Sequence, residues 1–170
     1  MVRVPVPTAS STTERLLDPH TTVIVVPGRP VPQGSITAFR HRSTGAVVTP
    51  QKPAVREYRD RIAWAARQAG TVCTDEAVVV RAIFRFARPK SHWLTNGGLA
   101  KKAPSDHCSR PDLDKLCRSL LDAISGGVLL YDDAQVVRIE ASKMWHDTDS
   151  TWVNVTLQRP RPDPDLEETG

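Results

Sequence analysis

The stretch PDLDKLCRSLLDAISGGVLLYDDAQVV, residues 111–137, decides how this chain folds. Apolar side chains recur three and four positions apart from Leu113 to Ile124, which predicts an amphipathic helix with one apolar face. Gly126 and Gly127 follow the last periodic position and indicate the end of that helix. Residues 128–131 then lead into Asp132 and Asp133, and a strand is predicted from about residue 135.

The sequence on both sides of this stretch predicts one mixed sheet and a second helix. A further amphipathic pattern predicts a helix over residues 53–68, with Pro53 in its first turn. Runs of β-branched and apolar residues predict strands at residues 22–26, 35–39, 46–49, 78–86, 135–145 and 151–157. The order ββ(β)αβαββ indicates an α+β fold with a mixed β-sheet and two main helices.

Length and composition favour one domain. The chain has 170 residues, and we expect the domain to span 21–158, between a flexible leader over 1–20 and a disordered acidic tail over 159–170. No apolar run approaches the roughly 18 residues of a membrane span, and no secretory signal is visible. The three cysteines show no disulfide-like pattern. We therefore expect a cytoplasmic protein with no membrane partner.

The charge is distributed unevenly along the chain. Residues 20–110 carry 15 Lys/Arg against 5 Asp/Glu, a balance of +10, whereas residues 111–159 carry 5 against 8, a balance of −3. A basic body beside an acidic segment suits a protein that holds a polyanion together with a metal. The same charge distribution is also typical of a soluble protein whose basic face only contacts solvent, and this alternative stays open at this point.

Two acidic clusters flank the predicted helix. Asp112 and Asp114 lie at its start, and Asp132 and Asp133 precede the next strand. A chain that returns along a helix of about 18 Å brings Asp133 back to the level of the first cluster. Converging carboxylates need a cation or a proton, and magnesium takes one or two carboxylates with water and substrate phosphate. The alternative is that Asp112 caps the helix while the second cluster only forms a turn.

Several other side chains have two interpretations each. Arg118 can pair with Asp114 across one helical turn, or it can contact a phosphate. Lys143 lies on the last-but-one predicted strand, where its side chain either contacts a phosphate group or extends into solvent. Trp93 lies in the long polar connection 87–110 and is the best candidate for stacking on a base. The sequence favours core packing for the other tryptophans, Trp64, Trp145 and Trp152.

The two acidic clusters and their spacing carry a family resemblance. The segments RPDLDKL (110–116), LDA (121–123) and YDDAQVV (131–137), with Lys143 downstream, resemble the RusA family of Holliday junction resolvases, which are common in phages and prophages. The family pattern is a P-D-x-D-N-x-x-K run, a helix with L-D-A, then D-D-x-Q-V and a downstream lysine. Segments 28–34 and 88–92 are also similar to the family, which extends the likeness over residues 22–157.

This resemblance implies a homodimeric, magnesium-dependent endodeoxyribonuclease that makes paired nicks across a four-way junction in DNA recombination and repair. Manganese is the expected substitute for magnesium. The metal carboxylates of the family fall on Asp112, Asp114 and Asp133, with Asp132 in support. The fold implied is a RusA-like α+β domain.

Two positions depart from the family pattern. Its asparagine is Lys115 here, and its catalytic lysine is Arg118. Arginine does not release a proton in a protein, so Arg118 suits charge neutralisation and not proton donation. Contacts with the DNA backbone are expected from the remaining cations: Arg40, Arg42, Arg56, Arg59, Lys101, Lys102, Lys115 and Lys143.

Three other functions stay open from the sequence. One is a metal nuclease for forks and flaps. Another is a catalytically inactive protein that binds branched DNA, which the departures at Lys115 and Arg118 suggest. The last is a structural protein in which the acidic clusters are caps and turns.

Overall fold

A computed structural model of the chain describes residues 21–34, 39–40, 47–48, 52–69 and 73–157. The predicted leader over 1–20 and the predicted tail over 159–170 lie outside these residues. The main elements are β1 (Thr21–Pro27), β2 (Phe39–Arg40), β3 (Val47–Val48), α1 (Pro53–Gln68), β4 (Val78–Ala87), α2 (Leu113–Ile124), β5 (Val136–His146) and β6 (Ser150–Leu157). Two short 3₁₀ turns cover Lys90–His92 and Asp133–Gln135.

The main sheet has four strands in the order β1-β6-β4-β5. Strand β6 is antiparallel to both of its neighbours, and β4 and β5 are parallel. A parallel pair needs a long crossover, and here α2 lies within the crossover from β4 to β5. The predicted α+β fold with a mixed sheet and two helices is confirmed.

The core forms where both helices pack against the sheet. Helix α2 buries Leu116, Leu120 and Ile124 completely, at the spacing that the sequence predicted. Residues on the other side of the helix therefore face outward, and Asp114 and Arg118 are both exposed. Burial of the apolar stripe thus fixes which charged side chains of α2 are presented to a ligand.

The prediction that Trp64 packs in the core is wrong. Its side chain is 62% exposed, whereas Tyr58 and Ile62 on the same helix are fully buried. Residues two apart on a helix point to nearly opposite sides, so burial of Ile62 turns Trp64 toward solvent. Trp145 is partly buried and packs against the core cluster. Trp93 is exposed, as predicted.

An ion pair joins the two helices. Arg59 of α1 binds the carboxylate of Asp122 of α2, and it also donates to the side-chain oxygen of Gln33. The backbone N–H of Gln33 in turn donates to the carbonyl oxygen of Lys115 at 3.0 Å. Arg59 was predicted to contact DNA, but its guanidinium is engaged inside the protein, where it holds the loop after β1 against α2.

The long connection between β4 and α2 is folded against the sheet. His107 is buried, and its ring centroid lies 4.5 Å from that of Phe86 and 4.1 Å from that of Trp145. The indole N–H of Trp145 donates to the carbonyl of Asp106 at 3.1 Å, and Arg88 donates to the carbonyl of Pro104 at 2.9 Å. These contacts anchor the chain that leads into α2.

We expect this anchor to weaken in acid. Burial lowers the pKa of His107 below its usual 6.5. The unfolded chain then takes up a proton first as pH falls, so the free energy of unfolding decreases below pH 6.5. Urea unfolding between about pH 7 and pH 5 measures this slope. His107→Phe keeps a ring at this position without a titrating group and should flatten the slope; an equal slope in that variant would contradict the assignment.

Candidate functional site

An open cavity beside the first turns of α2 collects three carboxylates. Asp114 and Asp122 come from α2, and Asp133 comes from the turn before β5. Arg118 lines the same cavity. The remaining wall is apolar and consists of Leu113, Cys117, Leu121, Ile139 and Ala141. The return of the chain along α2 thus brings Asp133 into the same cavity as Asp114.

A network of hydrogen bonds fixes the turn that carries Asp133. The carboxylate of Asp132 accepts from the backbone N–H of Ala134 at 2.8 Å. The side-chain oxygen of Gln135 accepts from the N–H groups of Tyr131 and Asp132, both at 2.8 Å. The amide group of Gln135 also donates to the carbonyl of Thr74 at 2.9 Å. Asp132 therefore supports the turn, while Asp133 is exposed.

Asp112 lies at the start of α2 but does not line the cavity that contains Asp114 and Asp133. It occupies the position before the first helical residue, but its side chain makes no capping hydrogen bond. Its carboxylate accepts from the ammonium group of Lys115 at 2.6 Å. This hydrogen bond and the charge of Lys115 lower the pKa of Asp112 below its usual range. The carboxylate is therefore charged at neutral pH and partnered by a cation from the next turn.

Lys143 connects β5 to the chain that enters α2. Its ammonium group donates to the carbonyl of Ser109 at 2.7 Å and to that of Pro111 at 2.8 Å. Both carbonyls belong to the three residues before Asp112. Lys143 was predicted to contact DNA. In the structure its contacts fix the segment that enters α2.

We expect Lys143→Met to lower junction cleavage about 10-fold, since a small misplacement of a catalytic group costs a large factor in rate. Junction binding measured without metal should change less than twofold, because the ammonium group is engaged by the protein. Gel-based cleavage and binding assays measure the two effects. The neighbouring Ser142→Ala variant, at an exposed position, is the matched control. A loss confined to binding would instead make Lys143 a DNA contact.

Arg118 is the free cation of the acidic cavity. Within the described part of the chain its guanidinium makes no hydrogen bond or ion pair, so the possible pair with Asp114 does not form. An unpaired guanidinium beside two carboxylates is available to a bound phosphate, whose geometry it matches with two parallel hydrogen bonds. The structure therefore leaves Arg118 free for the phosphate contact.

The carboxylates of the cavity suit a hard divalent cation. Among the described residues, no three His, Cys, Asp or Glu side chains form a group that holds a metal ion. Asp122 is engaged by Arg59 and Asp112 by Lys115, which leaves Asp114 and Asp133 in the cavity. Magnesium binds through one or two carboxylates plus water and substrate phosphate, so carboxylate oxygens such as these are ligands that it accepts.

Comparison with known proteins gives the family of this chain. The model of a family described as Endodeoxyribonuclease RusA matches residues 27–157. The chain belongs to the RusA endodeoxyribonuclease family. The match covers both acidic clusters and the whole crossover from β4 to β5. No curated protein matches the chain.

RusA membership establishes the chain as a metal-dependent nuclease of a family that acts on branched DNA junctions. The conclusion agrees with the two free carboxylates and the free guanidinium in one cavity. In the part of the chain that the structure describes, no helix is long and apolar enough to cross a membrane.

The cations predicted to contact DNA lie at different places in this RusA domain. Arg56 is exposed on α1, 4.0 Å from Asp60. Lys101 and Lys102 are exposed in the connection between β4 and α2. Arg40 belongs to β2, of whose side chains nothing is described, and Arg42 lies outside the described residues. Lys115 is bound to Asp112 but remains partly exposed.

Sequence reasoning missed two arginines and one glutamine of this site. Arg29 and Arg110 line a second cavity, together with Asp112 and Lys115. Arg29 lies in a Pro-rich loop, where nothing in the local pattern points to a contact with α2. Gln135 could have been found, because it is part of the D-D-x-Q-V pattern and its side chain helps to close the turn at Asp132.

Proposed function

We propose that this RusA-family protein is a magnesium-dependent Holliday junction resolvase. In this proposal a homodimer makes paired nicks across a four-way junction during DNA recombination and repair, and manganese can substitute for magnesium. The observation that carries it is the single cavity that holds Asp114, Asp133 and the unpaired Arg118. Two carboxylates for a metal and one cation for a phosphate are the parts that phosphodiester hydrolysis needs.

Each residue has a defined role in this mechanism. Asp114 and Asp133 would hold the metal, whereas Asp112 lines the second cavity and is bound to Lys115. Bound magnesium supplies Lewis-acid activation of the phosphate and lowers the pKa of a water molecule. Arg118 offsets the negative charge that accumulates on the phosphate in the transition state. Leu113, Leu121 and Ile139 form an apolar wall beside these charged groups.

Paired nicking requires two active sites in a fixed relation. A two-fold dimer matches the approximate symmetry of a four-way junction, because each protomer then faces an equivalent strand. The exposed cations Arg56, Lys101 and Lys102 would bind the DNA backbone without distinguishing base sequence.

The test of this proposal is cleavage of an end-labelled, immobile four-way junction by the purified protein, with magnesium and with EDTA. A fork, a flap and a linear duplex are the comparison substrates. We expect symmetric, magnesium-dependent nicks that leave ligatable duplexes, and little cleavage of the other substrates. Preferred cleavage of the fork or flap would make the protein a different branched-DNA nuclease, and tight junction binding without nicks would make it an inactive binding protein.

A further inference from the structure

A second cavity lies beside the start of α2 and has lining residues different from those of the acidic cavity. Three cations line it, Arg29, Arg110 and Lys115, with Asp112 as its one carboxylate. Asp112 is already neutralised by Lys115, at 2.6 Å. The positive charges of Arg29 and Arg110 therefore remain uncompensated within the cavity.

Neither guanidinium has a polar partner within the described part of the chain. Among the described residues, the side chains of Arg29 and Arg110 take part in no hydrogen bond or ion pair. The guanidinium carbon of Arg29 lies 6.0 Å from the centre of the Phe86 ring, which keeps the group beside the sheet. Three cations against one carboxylate give the cavity an excess of positive charge, which favours the binding of an anion.

The walls of the cavity are held in place before any ligand binds. They include Pro30, Pro32 and Pro111, whose φ angles are restricted by their rings. The loop that carries Arg29 is tied to α2 by the N–H of Gln33, which donates to the carbonyl of Lys115 at 3.0 Å. Lys143 holds Pro111 through its carbonyl at 2.8 Å. A preformed site loses little entropy when it binds an anion.

We propose that this cationic pocket, formed by Arg29, Arg110 and Lys115, binds a backbone phosphate of the DNA other than the one that is cut. The proposal rests on the proposed nuclease function. The start of α2 contributes to both cavities, since Asp112 and Lys115 line the pocket and Asp114 and Arg118 line the acidic cavity. A strand that crosses the start of α2 presents one phosphate to each, so the pocket sets which phosphate reaches the carboxylates.

The first experiment measures the affinity for the four-way junction in EDTA, at several salt concentrations. Arg110→Ala and Arg29→Ala should each weaken binding about 10-fold, and each should lower the slope of log affinity against log salt by about one. Arg67→Ala is the control, since it removes the same charge from an exposed position in the last turn of α1 that lines neither cavity. Arg110→Ala removes an exposed side chain, so its effect does not depend on the Phe86 contact of Arg29.

A second experiment identifies the phosphate. Junctions with a neutral methylphosphonate at one position near the cut are compared with unmodified junctions that carry either 5′-hydroxyl or 5′-phosphate ends. We expect a methylphosphonate at one internal position to lower the junction affinity of the wild-type protein. The same methylphosphonate should not lower the affinity of the Arg110→Ala variant any further. If Arg110→Ala weakens binding only of junctions that carry a 5′-phosphate, the proposal is wrong, because the ligand of the pocket is then the end of a strand.

The outcomes separate this proposal from the proposed function. If the wild-type protein cuts the junction and both pocket variants bind as tightly as Arg67→Ala, the pocket proposal is wrong and the nuclease function stands. If the wild-type protein neither binds nor cuts any branched DNA, both are wrong.

Discussion

The variant Asp133→Asn should lose magnesium-dependent cleavage by at least about 1,000-fold, which corresponds to about 4 kcal/mol of transition-state stabilisation. Asparagine keeps the shape of the side chain but removes the negative charge that a hard cation requires. The carboxylate of Asp133 is exposed and makes no hydrogen bond within the described residues, so the variant should fold normally. Junction binding in EDTA should be unchanged or slightly tighter, because one charge that repels DNA is removed.

The matched control for this prediction is Asp147→Asn. Asp147 is also an exposed carboxylate, but it lies in the turn between β5 and β6 and lines neither cavity. Single-turnover cleavage with the wild-type protein and the two variants separates the chemical step from product release. Cleavage by Asp133→Asn at the rate of the control would show that the acidic cavity is not the active site.

Replacement of Arg118 by alanine should lower the cleavage rate about 100-fold, the effect expected when one preorganised donor to a transition-state charge is removed. Arg118→Lys should retain activity within about 10-fold, because an ammonium group also neutralises the phosphate although it lacks the paired geometry of arginine. The dependence of the rate on pH should be the same for the wild-type protein and the lysine variant.

This pair of variants distinguishes charge neutralisation from proton donation. If the position has to release a proton, Arg118→Lys should be faster than the wild-type protein, and its rate should gain a new dependence on pH. Pre-steady-state rates measured from about pH 6 to pH 9 test this directly. Such a gain would contradict the role assigned to Arg118, whereas the effect of Arg118→Ala alone would not decide between the two roles.

The secondary structure of this protein follows closely from local patterns. The periodic apolar residues of 113–124 and the glycines after them predicted α2 with the bounds that the structure has, and Gly126 and Gly127 adopt positive φ angles of 68° and 88°. Strand β4 was also predicted well, because its alternate side chains are buried beneath the helices. These elements are determined by residues close in sequence.

The contacts that build the site depend on residues far apart in sequence, and local patterns did not reveal them. Arg59 and Lys143 were both expected on DNA, yet Arg59 binds Asp122 and Lys143 binds carbonyl groups 32 and 34 positions earlier. A basic side chain can bind many different partners, and tertiary geometry determines which of them it contacts. Trp64 was misplaced for a related reason, since the neighbouring Ile62 occupies the core-facing position.

The most direct test of the account is the binding of Mn²⁺, followed by electron paramagnetic resonance as a spectroscopic substitute for Mg²⁺. The wild-type protein should bind Mn²⁺ and release it to excess magnesium, while Asp133→Asn and Asp114→Asn should each weaken binding at least about 10-fold. Asp147→Asn should bind as the wild-type protein does. Equal Mn²⁺ affinity in the wild-type protein and Asp133→Asn would contradict the claim that the acidic cavity beside α2 is the metal-dependent nuclease site.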